Sequence, residues 1–583
     1  WPTGLGFEEF YGFMGAEDNQ WEPNRLFRGT TPVEAPESAG RPYYMTSDLV
    51  DEAVKWVDQQ RSFAPGKPYF LYFATGAVHT PHHAPAEWVA RYRGKFDQGW
   101  DALRTQIFER QKRLGVILAD TELTPRPPQI PAWASLSDGE RRLYAREMEV
   151  YAAYIAYTDH EVGRLLQAIE RGPNGSDNTL IFYVVGDNGA VGQNLRNYGG
   201  LSSLEDRLAE VDELGGPRVP FNENYGGWGW MGNTPFKYWK TVASYFGGLR
   251  APMIVSWPLR IRNAGTLRQQ FEHVTDIVPT IYEAIGIAPP QAVDGVAQQP
   301  MDGTSMLATF TDASAKAAHT IQYFEIGGNR AIYRDGWMAS ALSPFLAPDG
   351  DADHWELYHV SKDFSQAHDL SATNPAELAE LKALFDREAW ANHVYPIPGA
   401  AWSASDKPFV TNGSKQFRFY HPAGRIPWAQ IPSFNRSFAI DAEVFLPSRN
   451  ISGAIATFGF RTKGFAWYVK DDRLIFENRA GLQRHLVMSD EQLQGGTAKL
   501  RFEFECEACT ADGKSAAPIA GMLRMFVNGT KVAEQHLAEV NLKNGGEAFA
   551  FHVGRTGGSR ISDSFDAPFP FTGEIEWLTI TVD

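Results

Sequence analysis

The sequence predicts an α/β domain followed by an all-β domain. Three observations predict this. Over the first two-thirds, continuous apolar runs of strand length alternate with segments of helical period. Near residue 400 the helical period disappears. Beyond it, short alternating runs are separated by turn residues, the pattern of a β-sandwich.

The first helix is read at residues 47–61, where Val50, Ala53, Val54 and Val57 share one face. Pro65-Gly66 breaks it. Tyr69-Phe70-Leu71-Tyr72-Phe73 then reads as a fully buried strand. A long helix is expected over about residues 140–171, with Met148, Tyr151, Ile155, Val162, Leu165 and Ile169 near the 3.6 period. It ends at Gly172-Pro173-Asn174-Gly175. Leu180 to Val185 and Met253 to Ser256 are two further apolar strands, and a helix follows near residues 276–285. Strand, helix and strand with long connections predict a parallel, doubly wound sheet. Pro396, Pro398 and Gly399 mark a linker, which divides the chain into residues 1–400 and 401–583. In the second part strands are expected at 438–445, 453–460, 465–469, 500–504, 522–527 and 575–582, with turns at Lys470-Asp471-Asp472 and Asn528-Gly529.

Composition narrows the function. The 583 residues are 43% hydrophobic, 21% charged and 13% aromatic, a globular composition with ample core material. A net charge of -16 repels polyanions and argues against nucleic acid as a partner. An anionic substrate would need local cations or a metal. No apolar run is long enough to span a bilayer. Trp1 reads as an internal start, with no basic n-region or apolar h-region after it, so localisation stays open between cytoplasm and periplasm. Oligomeric state is equally open. Cys506 and Cys509 are the only cysteines, and they read as a local disulfide or two free thiols.

In an open α/β sheet, ligands gather beyond the C-terminal ends of strands. The 180–185 run leads into Gly186-Asp187-Asn188-Gly189. A carboxylate beside an amide oxygen, flanked by glycines, suits a hard divalent cation, and an ordinary Asx turn fits equally. The 69–73 run leads into Val78-His79-Thr80-Pro81-His82-His83-Ala84-Pro85. Three histidines on a proline-stiffened loop could grip an anion, move protons or simply hydrogen-bond. Asn233-Thr234-Pro235-Phe236-Lys237-Tyr238-Trp239-Lys240 offers Lys240 as a cation, or as a solvated surface lysine.

Taken in order, Gly6-Phe7-Glu8-Glu9-Phe10-Tyr11-Gly12-Phe13, the His79–Pro85 loop, Gly186–Ala190, Asn233–Lys240 with Gly247–Pro252, and Trp355–Leu370 resemble the sulfatase family of the alkaline phosphatase superfamily. The likeness is to large bacterial arylsulfatases and runs through about the first 400 residues. It implies an alkaline-phosphatase-like mixed, largely parallel sheet between helices, with a small antiparallel sheet within about residues 320–400, at Ile321 to Tyr333 and Trp337 to Tyr358. It implies sulfuric ester hydrolysis assisted by one divalent metal, usually calcium, with magnesium as an alternative. Asp187 and Asn188 match the second pair of metal ligands. His82 matches the histidine that contacts sulfate and protonates the leaving alcohol, Lys240 the lysine on the sulfate oxygens, and His79 a supporting position. The implied partner is a small sulfate ester.

Three departures accompany the likeness. The family's formylglycine nucleophile, made from a C/S-x-P-x-R motif, lies upstream of the Gly6–Gly12 landmark, as do two aspartate ligands and a Lys/His pair. The expectation is therefore an N-terminally truncated sulfatase, inactive by itself. Ser256-Trp257-Pro258-Leu259-Arg260 satisfies S-x-P-x-R literally, but lacks the helix start that should follow. Tyr245-Phe246 stands where relatives often carry His or Glu. Rival readings are a phosphate mono- or diester hydrolase of the same superfamily and a degenerate homologue that binds without catalysis.

Overall fold

The computed structural model describes the chain except residues 16, 37–41, 173–174, 193–202, 220, 345, 347–350, 352, 398–412, 421–423, 428–429, 511–517, 543–549 and 560. The expected linker at Pro398-Gly399 and the boundary at about residue 400 lie outside the described residues; Pro396 lies within them.

Two long helices frame the first part. Met45–Phe63 carries Val50 and Ala53 on its buried face, and Asp138–Glu170 answers with Leu165 and Ile169. The second helix starts on a capping box. Ser137 Oγ accepts from the Glu140 backbone N–H, and the Glu140 carboxylate accepts from the Ser137 N–H at 2.8 Å. Its middle turns enter an aromatic core with Trp100, Tyr144, Tyr154 and Trp228.

The strands differ from the sequence reading in two ways. Ile181–Val184 and Met253–Ser256 do form, but they pair antiparallel, with Ile181 opposite Ser256 and Val184 opposite Met253. The intervening chain leaves and re-enters at the same edge, through the short helices Leu204–Ala209, Gly226–Gly232 and Phe246–Leu249. Helices between two strands suggest a crossover only when the second strand starts at the far edge. The run Tyr69–Phe73 forms no strand and pairs with no described strand; Phe70 is 60% and Tyr72 73% exposed, while Leu71 and Phe73 pack on the helix pair. An apolar run specifies extension and burial. A strand also needs a neighbour to bond, which one segment cannot specify.

The small sheet forms as expected, ordered Trp355–His359, Trp337–Ala341, Asn329–Arg334, Ile321–Ile326 and antiparallel throughout. Asp335 and Gly336 turn its central hairpin with φ of 47° and 87°, a conformation that Gly and Asp tolerate. The helix Pro375–Ala391 covers one face with Leu381 and Phe385.

Beyond residue 415, two six-stranded antiparallel sheets stack face to face. All six expected strands are present. Arg473–Ala480, Gln483–Met488 and Thr530–Val540 add to them. Phe434, Phe438, Phe458, Phe465, Phe502 and Phe551 sit at the centre of a core whose buried members, among the described residues, run from Ile426 to Val582. Cys506 and Cys509 are disulfide-bonded at its margin. No described helix is long and apolar enough to cross a membrane.

Candidate functional site

His79, His82, Asp187, Asn188 and Lys240 all line one cleft of about 3000 Å³. Asp187 and Asn188 follow directly on Val184, at the end of the strand pair where Met253 enters. Backbone close approach fixes this end. Gly189 donates its N–H to Gly248 O at 3.1 Å, and a Cβ on Gly189 would stand 1.7 Å from Gly247 O. Asn233 then ties the Asp187 loop to the lysine loop. Its amide oxygen accepts from Ala190 N at 2.8 Å, its NH₂ donates to Ala190 O at 3.1 Å, and the Lys240 N–H donates to that same oxygen at 3.1 Å. Buried Arg104 holds the other flank, donating to Trp230 O at 2.6 Å, Pro235 O at 3.1 Å and Phe236 O at 2.9 Å.

The structure divides the histidines unlike the sequence reading. His82 is 3% exposed, its ring lies 4.6 Å from that of Tyr151, and its buried Nδ1 has no hydrogen-bond partner. Burial, and then the neighbouring His79 and His83, push its pKa down to about 3, so it stands neutral. A neutral, enclosed imidazole is a poor proton donor. His83 is fully buried and accepts from Gln20 N at 3.3 Å through Nδ1.

His79 is the better-placed ring. Its side chain is 37% exposed, its Nδ1 lies 2.9 Å from a Glu17 carboxylate oxygen, and its Nε2 lies 2.9 Å from Lys240 Nζ. The Glu17 bond lifts the imidazole above its ordinary pKa, against burial and the Lys240 charge, which pull it down. Burial pushes Glu17 up in turn, but the His79 bond and the nearby lysine outweigh it, and its carboxyl titrates below its usual value. With Nδ1–H donated to Glu17, Nε2 keeps a lone pair that accepts from Lys240. Once His79 is protonated, Nε2–H and the ammonium repel each other, and an anion between them would accept from both.

Sequence reasoning missed Glu17 and Glu223. Glu223 lies within the field of Glu17, His79 and Lys240, and burial, then Glu17, push it up to about 6. Neither glutamate sits in a pattern that marks chemistry; only folding brings them to the histidine. Lys237, in contrast, is spent on packing, 2.9 Å from the Tyr358 hydroxyl. Tyr245 stacks on Tyr238 and donates to Glu356, and Phe246 N donates to Gln366, so this departure is absorbed into the core. Ser256 pairs with Ile181 at the opposite end of the strand pair from Asp187.

A hard cation such as calcium wants about six to eight oxygens. Asp187 and Asn188 supply a carboxylate and an amide. Among the described residues no group of three or more His, Cys, Asp or Glu could hold a metal ion. The described residues therefore make at most part of a metal site.

Residues 2–287 match the sulfatase family model. The match covers just under half of the chain and makes this stretch similar to the sulfatases. The chain is 27% identical over 413 residues to a sulfatase of Schizosaccharomyces pombe, covering 65% of this chain and 70% of that protein. It is 27% identical over 317 residues to an arylsulfatase of Klebsiella aerogenes, covering 53% of this chain and 66% of that one. Human arylsulfatase D is 26% identical over 249 residues, 42% of this chain and 35% of the human protein. Among solved structures, that of Ps i-CgsB in complex with k-i-k-neocarrahexaose is 22% identical, with a TM-score of 0.44 and 69% of each chain covered. The chain thus spans about two-thirds of the Klebsiella enzyme and about a third of the human one.

Proposed function

We propose that this protein is an arylsulfatase-like sulfuric ester hydrolase, and that Lys240 and His79 are the groups that meet the sulfate. The observation that carries this is the Lys240–His79 contact of 2.9 Å in a cleft that Asp187 also lines, within residues that match the sulfatase family. Lys240 donates to sulfate oxygens and opposes the charge that grows on them. Protonated His79 turns Nε2–H toward the bridging oxygen and gives it the proton as the S–O bond breaks, so the alcohol leaves neutral. Glu17 keeps the other nitrogen occupied. This reading moves the acid's part from His82 to His79, and leaves His82 as a buried wall of the loop.

The attacking group remains to be supplied. By the family resemblance it is a formylglycine N-terminal to Trp1, together with the remaining ligands of a divalent cation, calcium in most relatives. Asp187 and Asn188 would be this chain's share of the cation's shell, a charge that would hold the sulfate oxygens. No step is assigned to either group.

The test is turnover of an aryl sulfate, with the aryl phosphate alongside, by residues 1–583 and by a version extended upstream in frame. The extended protein should cleave the sulfate ester, and residues 1–583 alone should not. In the extended protein Lys240→Ala and His79→Ala should each lose roughly 10²- to 10³-fold in kcat. Equal turnover by both lengths would mean that the nucleophile lies within these residues, and the formylglycine reading would fall. Faster cleavage of the phosphate would favour phosphate chemistry on the same scaffold.

A further inference from the structure

We propose that the β-sandwich braces the catalytic cleft: through Glu22 it holds the loop of residues 17–24, and Glu17 at the far end of that loop orients His79 against Lys240. This rests on the reading that His79 faces the sulfate.

The loop is a nearly continuous set of hydrogen bonds. At its cleft end Glu17 reaches His79 Nδ1 at 2.9 Å and accepts from the Thr80 hydroxyl at 3.0 Å. Asp18, 6% exposed, accepts from the N–H of Asn19 at 2.7 Å, the N–H of Asn24 at 2.8 Å and the Asn24 side chain at 2.9 Å, closing the loop on itself. Asn19 accepts from Trp21 N and Glu22 N. Gln20 is fully buried; its N–H donates to His83, and its side-chain oxygen accepts from Thr46. These bonds tie Glu17 and Glu22 into one network.

Its other end is gripped by the sandwich. The Glu22 carboxylate accepts from Gly558 N at 2.9 Å and lies 3.4 Å from Arg425 Nη1 and 3.3 Å from His552 Nε2. Arg425 also donates to Glu22 O at 2.5 Å and to Asn24 Oδ1 at 3.2 Å. The Arg425 side chain is 8% exposed, so this is a desolvated contact between the two halves. Truncating one member would leave the other charge buried without its partner. Glu17 and Glu22 are five positions apart, one bonded to the catalytic histidine and the other to the second domain.

Glu17 is thus a positioning residue. Its carboxylate fixes the His79 tautomer with Nδ1–H outward and Nε2 toward Lys240, as an outer carboxylate does for many working histidines. The charged and titratable groups that face His79 are Glu17, Lys240, His82 and Glu223. Of these, Glu17 sustains the raised imidazole pKa.

The experiment needs no turnover. NMR titration of ¹³C-labelled histidine in the whole chain, with His79→Gln to assign its signal, reads the His79 pKa directly. Glu17→Gln should lower it. Glu22→Gln and Arg425→Met should lower it too, although neither residue touches His79. Arg461→Met is the control; Arg461 reaches the first half at Ala209 O, 3.5 Å away, without contact to the loop. It should leave His79 unmoved. Far-UV circular dichroism shows which variants remain folded, and Glu22→Gln stands in should Arg425→Met not fold. A His79 titration unchanged in Glu17→Gln overturns the positioning role. One that moves in Glu17→Gln but not in Glu22→Gln overturns the brace, as does an equal shift in Arg461→Met. All of these outcomes are independent of whether the protein hydrolyses sulfate esters.

Discussion

Two histidines three positions apart have opposite environments. His79 opens to the cleft between a carboxylate and an ammonium, and His82 is packed against Tyr151. Their substitution should separate catalysis from stability. In the upstream-extended enzyme, His79→Gln should cost at least about 10²-fold in kcat, the scale of a general acid. His82→Phe, which keeps a ring against Tyr151, should retain most activity. His82 also makes a pH prediction. Its folded pKa is depressed, so between the ordinary histidine value of about 6.5 and its folded value the unfolded chain binds the extra proton. Stability is therefore lost as pH falls through that window. Between pH 7 and 5 the melting temperature of His82→Phe should drop less than that of the wild type. Equal drops would mean that another group carries the acid sensitivity. The sequence supplied the His-x-Pro-His spacing but could not rank the two rings, because exposure and neighbours separate them and residue identity does not.

Among the elements, the long helix Asp138–Glu170 and the 233–240 loop represent two kinds of specification. The helix was legible because its period and its terminating glycine are local. The loop takes its shape from Arg104, more than a hundred residues away, which donates to three carbonyls and stands 4.3 Å over Trp230. Burial lowers the Arg104 pKa to about 9, yet it stays charged near neutrality. Arg104→Met should destabilise by about 3–5 kcal/mol, since it strands buried carbonyls. It should appear as a lower first thermal transition, with the sandwich transition unchanged. Glu147 offers a pH test on the helix itself. It is fully buried, and burial raises it to about 8 against the opposing Arg207 charge. The folded chain then holds a proton that the unfolded chain has released above about pH 4.3. Stability should fall as pH rises from about 5 to 8 through this group, and Glu147→Gln should flatten that slope in calorimetry. The run Tyr69–Phe73 marks the limit of local reading: five apolar residues read as a buried strand, but no described strand pairs with them and Phe70 and Tyr72 are exposed.

For the whole molecule, two cores joined by a polar contact predict cleavage without immediate separation. Among the described residues the buried sandwich core runs from Ile426 to Val582, and the expected boundary falls in residues 398–412. Limited proteolysis should cut there. The two pieces should still co-elute on a sizing column at neutral pH, held by Glu22, Arg425 and His552. Burial raises the Glu22 pKa, but His552 and Arg425 outweigh it and hold the carboxyl well below its usual range. Its share of the contact is complete above the ordinary glutamate value of about 4.3 and is lost progressively as pH falls below it. The pieces should then part in acid. Separation at pH 7 would show that the contact is too weak to brace anything.

The sequence by itself determined the α/β-then-β order, the long helices, the six main sandwich strands, the small antiparallel sheet and the loops that carry Asp187, His79 and Lys240. Each is written in neighbouring residues, as a period, a cap, a turn or an ordered set of motifs. Only the tertiary structure decided the antiparallel sense of the strand pair, the different surroundings of His79 and His82, and the approach of Glu17 and Glu223 to the cleft histidine. These depend on which distant groups end up within about 3 Å of one another and on how much water remains beside them. Separation in the chain carries no record of either quantity.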